Sequence, residues 1–362
     1  MFIINRIVFI LNSIAILALL ATYAAPYISP DLLWPVAFLG LAFPAVVLVN
    51  VVFIVYWLIF FNMKFLFSLA TIVMGWSHIT EFVQLNAKKF EQRQDNTINL
   101  VTFNARYFGL FDGKGAGDEV DLFAEKLDKL SPDVLCIQEL TNISVADSNA
   151  AFEVFKHKYS AYNRVNIKLQ KGRWLCDNIG FLSKYPVINK GVVEHDLSSG
   201  NYTIFADVVA YNDTVRIINT HLQSIRFERR EYDAVKNIDL EGDAEKVDAY
   251  KSIVSKMKYA FVMRAKQTDS IAEFIAQSPY KVIVCGDFND SPLSYSYRTI
   301  KGKMKDAFME AGSGLGRTYV GAMPSFRIDF ILGDPSFTFY NYYAKAFDFS
   351  DHKLVSCSVK IK

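Results

Sequence analysis

KVIVCGDFNDSP, residues 281–292, is the stretch on which the reading of the fold turns. Its first half is a short run of Val and Ile, which predicts a fully buried strand, and its second half switches to Gly, Asp and Asn. A rigid strand therefore delivers polar groups to an edge. Asp287 and Asn289 are two residues apart, so a continuing pleat puts both on one side and turns Phe288 back into the core. Gly286 permits a close backbone approach, and Ser291-Pro292 stops the strand. Taken alone, the stretch is equally consistent with a plain turn, so the rest of the chain decides.

The same change from apolar run to polar end recurs along the chain. INLVTF (98–103) leads to Asn104, DVLCI (133–137) to Gln138-Glu139, and residues 215–218 to Asn219-Thr220-His221. SFRIDFIL (325–332) carries Arg327 and Asp329, and Ser350-Asp351-His352 precedes a last predicted strand over 353–361. So many strand ends bearing carboxylate, amide or imidazole exceed what solubility requires. They imply one site assembled at one edge of a sheet.

Asn104, the QE of CIQEL, THL at 220–222, GDFN at 286–289, RIDF at 327–330 and SDH at 350–352 resemble the endonuclease/exonuclease/phosphatase family. That family includes pancreatic deoxyribonuclease, abasic-site endonucleases, inositol polyphosphate phosphatases and neutral sphingomyelinases. Each motif alone is weak, but the ordered set is specific, and the resemblance spans residues 96–362. It implies an α/β fold of two packed mixed β-sheets flanked by helices, a four-layer sandwich. It also implies a hydrolase that cleaves a phosphodiester or phosphomonoester by attack of water on phosphorus. Thr220-His221-Leu222 matches the deoxyribonuclease, phosphatase and sphingomyelinase branches, whereas abasic-site enzymes carry a Tyr-x-Pro-Asn type motif in this region.

Phosphoester hydrolysis needs charge neutralisation at the non-bridging oxygens, a deprotonated water and a protonated leaving oxygen. Glu139, a hard oxygen ligand, and Asn104, a neutral one, suit Mg²⁺, with Mn²⁺ as an alternative. The resemblance assigns both to the metal site and puts Asp351 near it. His352 is the candidate general base, because the ordinary pKa of His lies closest to neutrality. On the resemblance, Asp329 orients its ring, Asp287 orients or activates the attacking water, and Asn289 binds a phosphoryl oxygen. His221 is placed to hydrogen-bond a non-bridging oxygen or to assist the leaving group. Which group orients His221 stays open, since deoxyribonuclease has a Glu for this near the position of Asp177 or Asn178. Arg106, Asn178 and Arg226 are the candidates for substrate contact. For Arg226, with Arg229 and Arg230 beside it, a solvated face is the plainer reading; Tyr162, Trp174 and Tyr319 read as core aromatics before stacking platforms.

A net charge of +2 over 362 residues speaks against strong nonspecific binding of nucleic acid and leaves a local phosphate site open. The four cysteines, Cys136, Cys176, Cys285 and Cys357, show no metal-ligand spacing; three lie in predicted strands and read as small core residues. The apolar excess is concentrated at the front. Residues 7–25 and 35–61 are each long enough to cross a bilayer, and residues 65–85 can form a third span with a polar far end at His78, Glu81 and Gln84. More apolar sequence follows the first run, so it reads as a span and not as a cleaved leader.

The expected organisation is transmembrane helices over 1–85, three with two as the alternative, then a linker over 86–96 and a catalytic domain over 97–362. Arg6 and Lys64 on one side, with Asp31 and the domain on the other, make this a multi-pass membrane protein whose domain faces the external or periplasmic side. Lys88, Lys89 and Arg93 pull the other way. Inside the domain the spacing predicts a helix over 118–130, a strand in 177–187, a hairpin about Asn212-Asp213 and a long helix over 244–277. Tethering at a bilayer raises the weight of a lipid-headgroup substrate, hydrolysed in the manner of a sphingomyelinase or phospholipase C. A surface nuclease acting on DNA or RNA is the alternative. A binding module without activity is a third reading, against which the intact set of motifs argues. Nothing in the sequence implies a protein partner.

Overall fold

The computed structural model describes residues 2–85, 87–90, 93–112, 117–140, 153–154, 157–164, 179–193, 200–236, 244–321 and 326–361. The front of the chain forms α1 (Phe2–Thr22), α2 (Pro30–Leu33), α3 (Pro35–Ile59), α4 (Phe65–Met74) and α5 (Trp76–Phe82). Of these, α1 and α3 are long and apolar enough to cross a membrane; α4 and α5 together reach that length but bend by 67° at Gly75. A buried polar network ties three of the helices together. Asn12 Nδ2 donates to Ser68 Oγ (2.6 Å), Ser68 Oγ to Asn50 Oδ1 (3.0 Å), and Trp57 Nε1 to Asn12 Oδ1 (2.8 Å). Amides inside an apolar bundle are costly unless satisfied in this way.

The bend accounts for the polar far end of the third apolar run. It turns α5 toward the rest of the chain, where Glu81 meets Lys301 (3.5 Å) and accepts, through its carbonyl, from Arg327 Nη2 (2.8 Å). Residues 87–90, expected as linker, are docked: Asn341 N–H donates to the Lys88 carbonyl and Phe90 N–H to Asn341 Oδ1, both at 2.9 Å.

Two six-stranded sheets follow among the described residues. The first runs β11 (Thr338–Ala346), β12 (Lys353–Lys360), β1 (Thr97–Asn104), β2 (Val134–Gln138), β4 (Ile179–Ser183) and β3 (Asn163–Arg164). The second runs β5 (Val187–Val192), β6 (Thr203–Ala210), β7 (Asp213–His221), β8 (Lys281–Asp287), β10 (Asp329–Gly333) and β9 (Lys305–Asp306). Each has one parallel pair at its centre, β1 with β2 and β7 with β8, and antiparallel neighbours elsewhere. The helix α6 (Asp118–Leu130) covers the outer face of the first sheet through Phe123 and Leu127. After α7 (Arg229–Lys236), the long α8 (Ala244–Ala276) covers the second sheet through Ile271, with Tyr297 and Ile300 of α9 (Tyr295–Lys301) beside it. This is the expected four-layer sandwich.

The layers explain why residues 281–285 are apolar on both faces. Ile283 and Cys285 face the other sheet, while Val282 and Val284 face the helical layer. The same alternation holds in β1, where Ile98 and Leu100 point inward and Val101 and Phe103 outward. Three details differ from the sequence reading. The β6–β7 hairpin turns on Tyr211 and Asn212, both at positive φ (51° and 64°), so Asp213 already belongs to β7. The strand expected within 177–187 is two strands in different sheets, β4 ending at Ser183 and β5 beginning at Val187. Arg327 lies ahead of β10 and turns away from the edge, buried against Asp306 at 2.6 Å.

The helical front packs directly on the domain. A Cβ at Gly40 of α3 would stand 2.3 Å from the Leu293 carbonyl oxygen, so only glycine allows this approach. Phe38 meets Phe261 edge-on at 5.2 Å, and Asp31 reaches Lys266 at 3.5 Å.

Candidate active site

Alternation sets the position of each polar strand end. Asn104 continues the inward phase of Ile98 and Leu100, Gln138 that of Val134 and Cys136, Asp287 that of Ile283 and Cys285, and Asp329 that of Ile331. Asn219 and His221 continue the inward row of Val215 and Ile217. The layer between the sheets is therefore apolar through its length and polar at one end. Register then aligns the ends: His221 pairs with Asp287, Asp287 with Asp329, and Asn104 with Gln138. Gln138 Nε2 donates to Asn219 Oδ1 at 2.6 Å, joining the two sheets beneath the site.

Above that link the groups converge. His352 Nδ1 lies 3.1 Å from Asp329 Oδ2, and its Nε2 lies 3.8 Å from Asp287 Oδ2. His221 Nε2 lies 3.6 Å from Asp287 and 3.8 Å from Glu139. Asn104 Nδ2 donates to Asp287 Oδ2 (3.0 Å) and Glu139 Oε1 (3.2 Å). Local hydrogen bonds fix these side chains: the backbone N–H of Asp329 donates to Thr318 Oγ1, that of His352 to Ser350 Oγ, and Ser350 Oγ to the Asn104 carbonyl. Asn289 does not arrive by a continued pleat. Its φ of 52° ends the strand at Asp287, its N–H donates to Asp287 Oδ1, and Nδ2 is directed at the Leu222 carbonyl and Asp287. Phe288 is turned into the core against Phe330, as expected. Gly286 makes the crossing possible: its φ is 133°, and a Cβ there would lie 2.0 Å from the Thr220 carbonyl oxygen.

Charge in the site is uneven. Burial pushes the carboxyls of Asp287 and Glu139 above the usual range, and burial pushes His221 below its ordinary value, leaving it neutral. For His352 burial works against the charged ring, but the carboxylates of Asp329 and then Asp287 overcome it and carry the pKa up to about 10. Ligand atoms of Asp287, Asp329 and His352 lie within 4.8 Å of one another, with Asn104 and Glu139 adjoining. Buried carboxylates without enough positive charge, together with a buried His221 Nε2 that has no hydrogen-bond partner, fit a hard divalent cation. The Asn104 oxygen is turned to the Arg106 N–H (3.1 Å), so its amide nitrogen faces the carboxylates.

The model of the endonuclease/exonuclease/phosphatase family matches residues 101–352, more than half of the chain. The chain belongs to this family. It is accordingly a metal-dependent hydrolase of phosphoester bonds. A second model, of a domain of unknown function, matches residues 5–82. No curated protein matches. Among solved structures, C. elegans TDP2 is 17% identical with a TM-score of 0.50, covering 75% of this chain and 77% of its own. D. rerio TDP2 humanized by 14 mutations is 15% identical with a TM-score of 0.50, covering 74% and 100%. An endonuclease/exonuclease/phosphatase from Bacteroides vulgatus is 18% identical with a TM-score of 0.48, covering 74% and 99%. At such identities the likeness to the two TDP2 structures is one of fold.

Within this endonuclease/exonuclease/phosphatase site, the structure brings together Asn104, Glu139, His221, Asp287, Asn289, Asp329 and His352. A cavity of about 560 Å³ opens above them, lined by Glu139, Asn289 and His352 and also by Arg106, Arg226 and Asp351. Asp351 sits at its rim, 3.8 Å from Arg106. Asn178, Asp177 and Trp174 lie outside the described residues, while Tyr162 is a core residue bonded to the Pro132 carbonyl. Tyr319 lines the cavity with its ring 5.5 Å from that of His352. The sequence reading missed Arg264 of α8, which lines the cavity, is 1% exposed and pairs with Asp290 at 3.3 Å. Its signal was a lone Arg among Ala260, Phe261, Gln267, Thr268 and Ile271, a charge on an otherwise uncharged buried helix face. It also missed Phe38, Leu41 and Ala42 of α3, for which there was no signal.

Proposed function

We propose that the protein is a membrane-anchored, Mg²⁺-dependent phosphoesterase, with Mn²⁺ able to substitute, that directs water onto phosphorus. The observation that carries this reading is the row His221, Asp287, Asp329, with His352 held across it at 3.1 Å from Asp329 and 3.8 Å from Asp287, at the mouth of an open cavity. Glu139 and Asp287 would hold the cation, joined by Asn104 once its amide is turned to present the oxygen that here accepts from the Arg106 N–H, with Asp351 nearby. When bound, it supplies charge neutralisation at the phosphoryl oxygens and at the departing oxygen.

The chain's own groups then divide the remaining work. Without a cation the carboxylates of Asp329 and Asp287 favour the charged ring of His352; a divalent cation held by Glu139 and Asp287 offsets that charge and leaves His352, pinned by Asp329 and facing the phosphoryl group, as the candidate general base. Asp287, held by Asn104 and Asn289, orients or activates the attacking water. Asn289 positions Asp287 through two hydrogen bonds from N–H and Nδ2. His221, with its Nε2 buried and 3.6 Å from Asp287 and 3.8 Å from Glu139, is placed to hydrogen-bond a non-bridging oxygen or to assist the leaving group. Arg106 and Arg226 contact the substrate at the cavity rim.

Three crossings, with α4 and α5 as one bent span, would put the amino terminus and the domain on opposite faces and the domain outside. Protease added to intact cells should then cut the domain; protection beside a cleaved external control would place it inside. Activity is tested with full-length protein in detergent, Mg²⁺ or EDTA, and a panel of DNA, RNA, sphingomyelin, phosphatidylinositol phosphates and simple phosphomonoesters. Metal-dependent cleavage that disappears in His352→Ala supports the reading, and silence toward every class from folded protein in lipid overturns it.

A further inference from the structure

The cavity above the centre has two kinds of lining. Polar groups, Glu139 and His352 among them, form one. The same cavity is lined by the apolar residues Phe38, Leu41 and Ala42 of α3 and by Met257 of α8. The three α3 residues are spaced i, i+3 and i+4, so they present a single helix face to the cavity. They occupy the first turns of a helix long and apolar enough to cross a membrane, whose later residues Leu48, Val52 and Ile59 are exposed. The wall is fixed in place by the close approach of Gly40 to Leu293 and the edge-on contact of Phe38 with Phe261.

A site that handled only a small soluble phosphoester would have no use for an apolar wall next to its reacting groups, and leaving that wall wet is unfavourable. Pockets combine an apolar lining with a few placed polar groups when the ligand has both kinds of surface. We infer that the substrate is an amphiphilic phosphodiester whose alkyl chain lies along Phe38, Leu41 and Ala42 while its phosphate faces His352. The inference rests on the phosphoesterase reading above. It makes α3 part of the substrate site as well as an anchor, and the cavity continuous with the lipid-facing length of the same helix.

The test uses full-length protein in detergent micelles with Mg²⁺. Turnover is measured on methyl and octyl p-nitrophenyl phosphate diesters, and binding separately, by calorimetry, with methylphosphonate and octylphosphonate. The octyl compound should be preferred at least about tenfold in both measurements. In Phe38→Ala/Leu41→Ala that preference should fall to within about threefold, because the lost side chains no longer meet the alkyl chain. Ala42→Phe, which fills the wall instead of emptying it, should reduce octyl binding in the same direction and carries the test if the double variant fails to fold. An octyl preference that survives in the variants overturns the inference, as does wild-type cleavage of an oligonucleotide in preference to the octyl diester. Binding keeps the two readings apart. Octyl-selective binding that the variants lose, without turnover of any diester, would remove the hydrolase and keep the wall; turnover without chain preference would do the reverse.

Discussion

The strand ends beneath the cavity and the helix beside it shape one space with opposite chemistry and opposite visibility. Beneath, Asn104, His221, Asp287 and Asp329 each lie at the polar end of an inward-facing row that begins apolar, held by pleat and register. Beside them, Phe38, Leu41 and Ala42 are apolar residues within an apolar helix, brought to the cavity by packing against Leu293 and Phe261. On the proposed reading, the strand ends fix which bond can be cut, and the helix bears on which molecule is cut. Chemistry and selectivity thus rest on separate parts of the chain.

The most severe way to break the first half of this comparison is at the ring. His352→Ala and Asp329→Ala should each lower kcat/KM by about 10³-fold or more, measured on a soluble diester, while thermal unfolding stays cooperative. Activity retained in both would remove the pair from the chemistry. Next come the two glycines, one on each side of the comparison. Gly286→Ala combines a φ of 133° with a Cβ 2.0 Å from a strand carbonyl, and should destabilise by about 3 kcal/mol or more in thermal or urea unfolding. Gly40→Ala, against Leu293, should cost less, since a helix can shift as a body where a paired central strand cannot.

A smaller effect separates metal from ring. Glu139→Gln should raise the Mg²⁺ concentration for half-maximal activity by about 10-fold to 100-fold, and an unchanged activation curve would take Glu139 out of the metal site. The finest test is the pH profile. If His352 works as the charged form, kcat/KM holds through neutral pH and falls on the alkaline side as the ring loses its proton near its pKa of about 10. A rise with pH would instead identify the ring as the base.

Much of the fold was legible because buried strands ending in polar residues break their own pattern. The helix over 118–130 and the length of α8 could be read from periodicity, as could the burial of Cys136, Cys285 and Cys357. Less legible was anything decided by backbone sign or by distant packing. The left-handed Asn289 and the Tyr211-Asn212 turn depend on φ, which pleat arguments assume away. Arg327 stands next to a site residue in sequence yet belongs to a buried pair with Asp306. Arg264 was readable in principle as a charge on an otherwise uncharged face, whereas Leu41 differs in no local way from the other leucines of its helix.

β12 pairs directly with β1, and His352 immediately precedes β12. Synthesis therefore produces the carboxylates at Glu139, Asp287 and Asp329 well before the imidazole that completes them. Until the last strand closes beside the first, a nascent chain possesses its apolar helices and its acids but not the proposed centre. Such an enzyme is latent while it is being made, and it acquires the power to cut phosphoesters only when its fold is finished and its location already set.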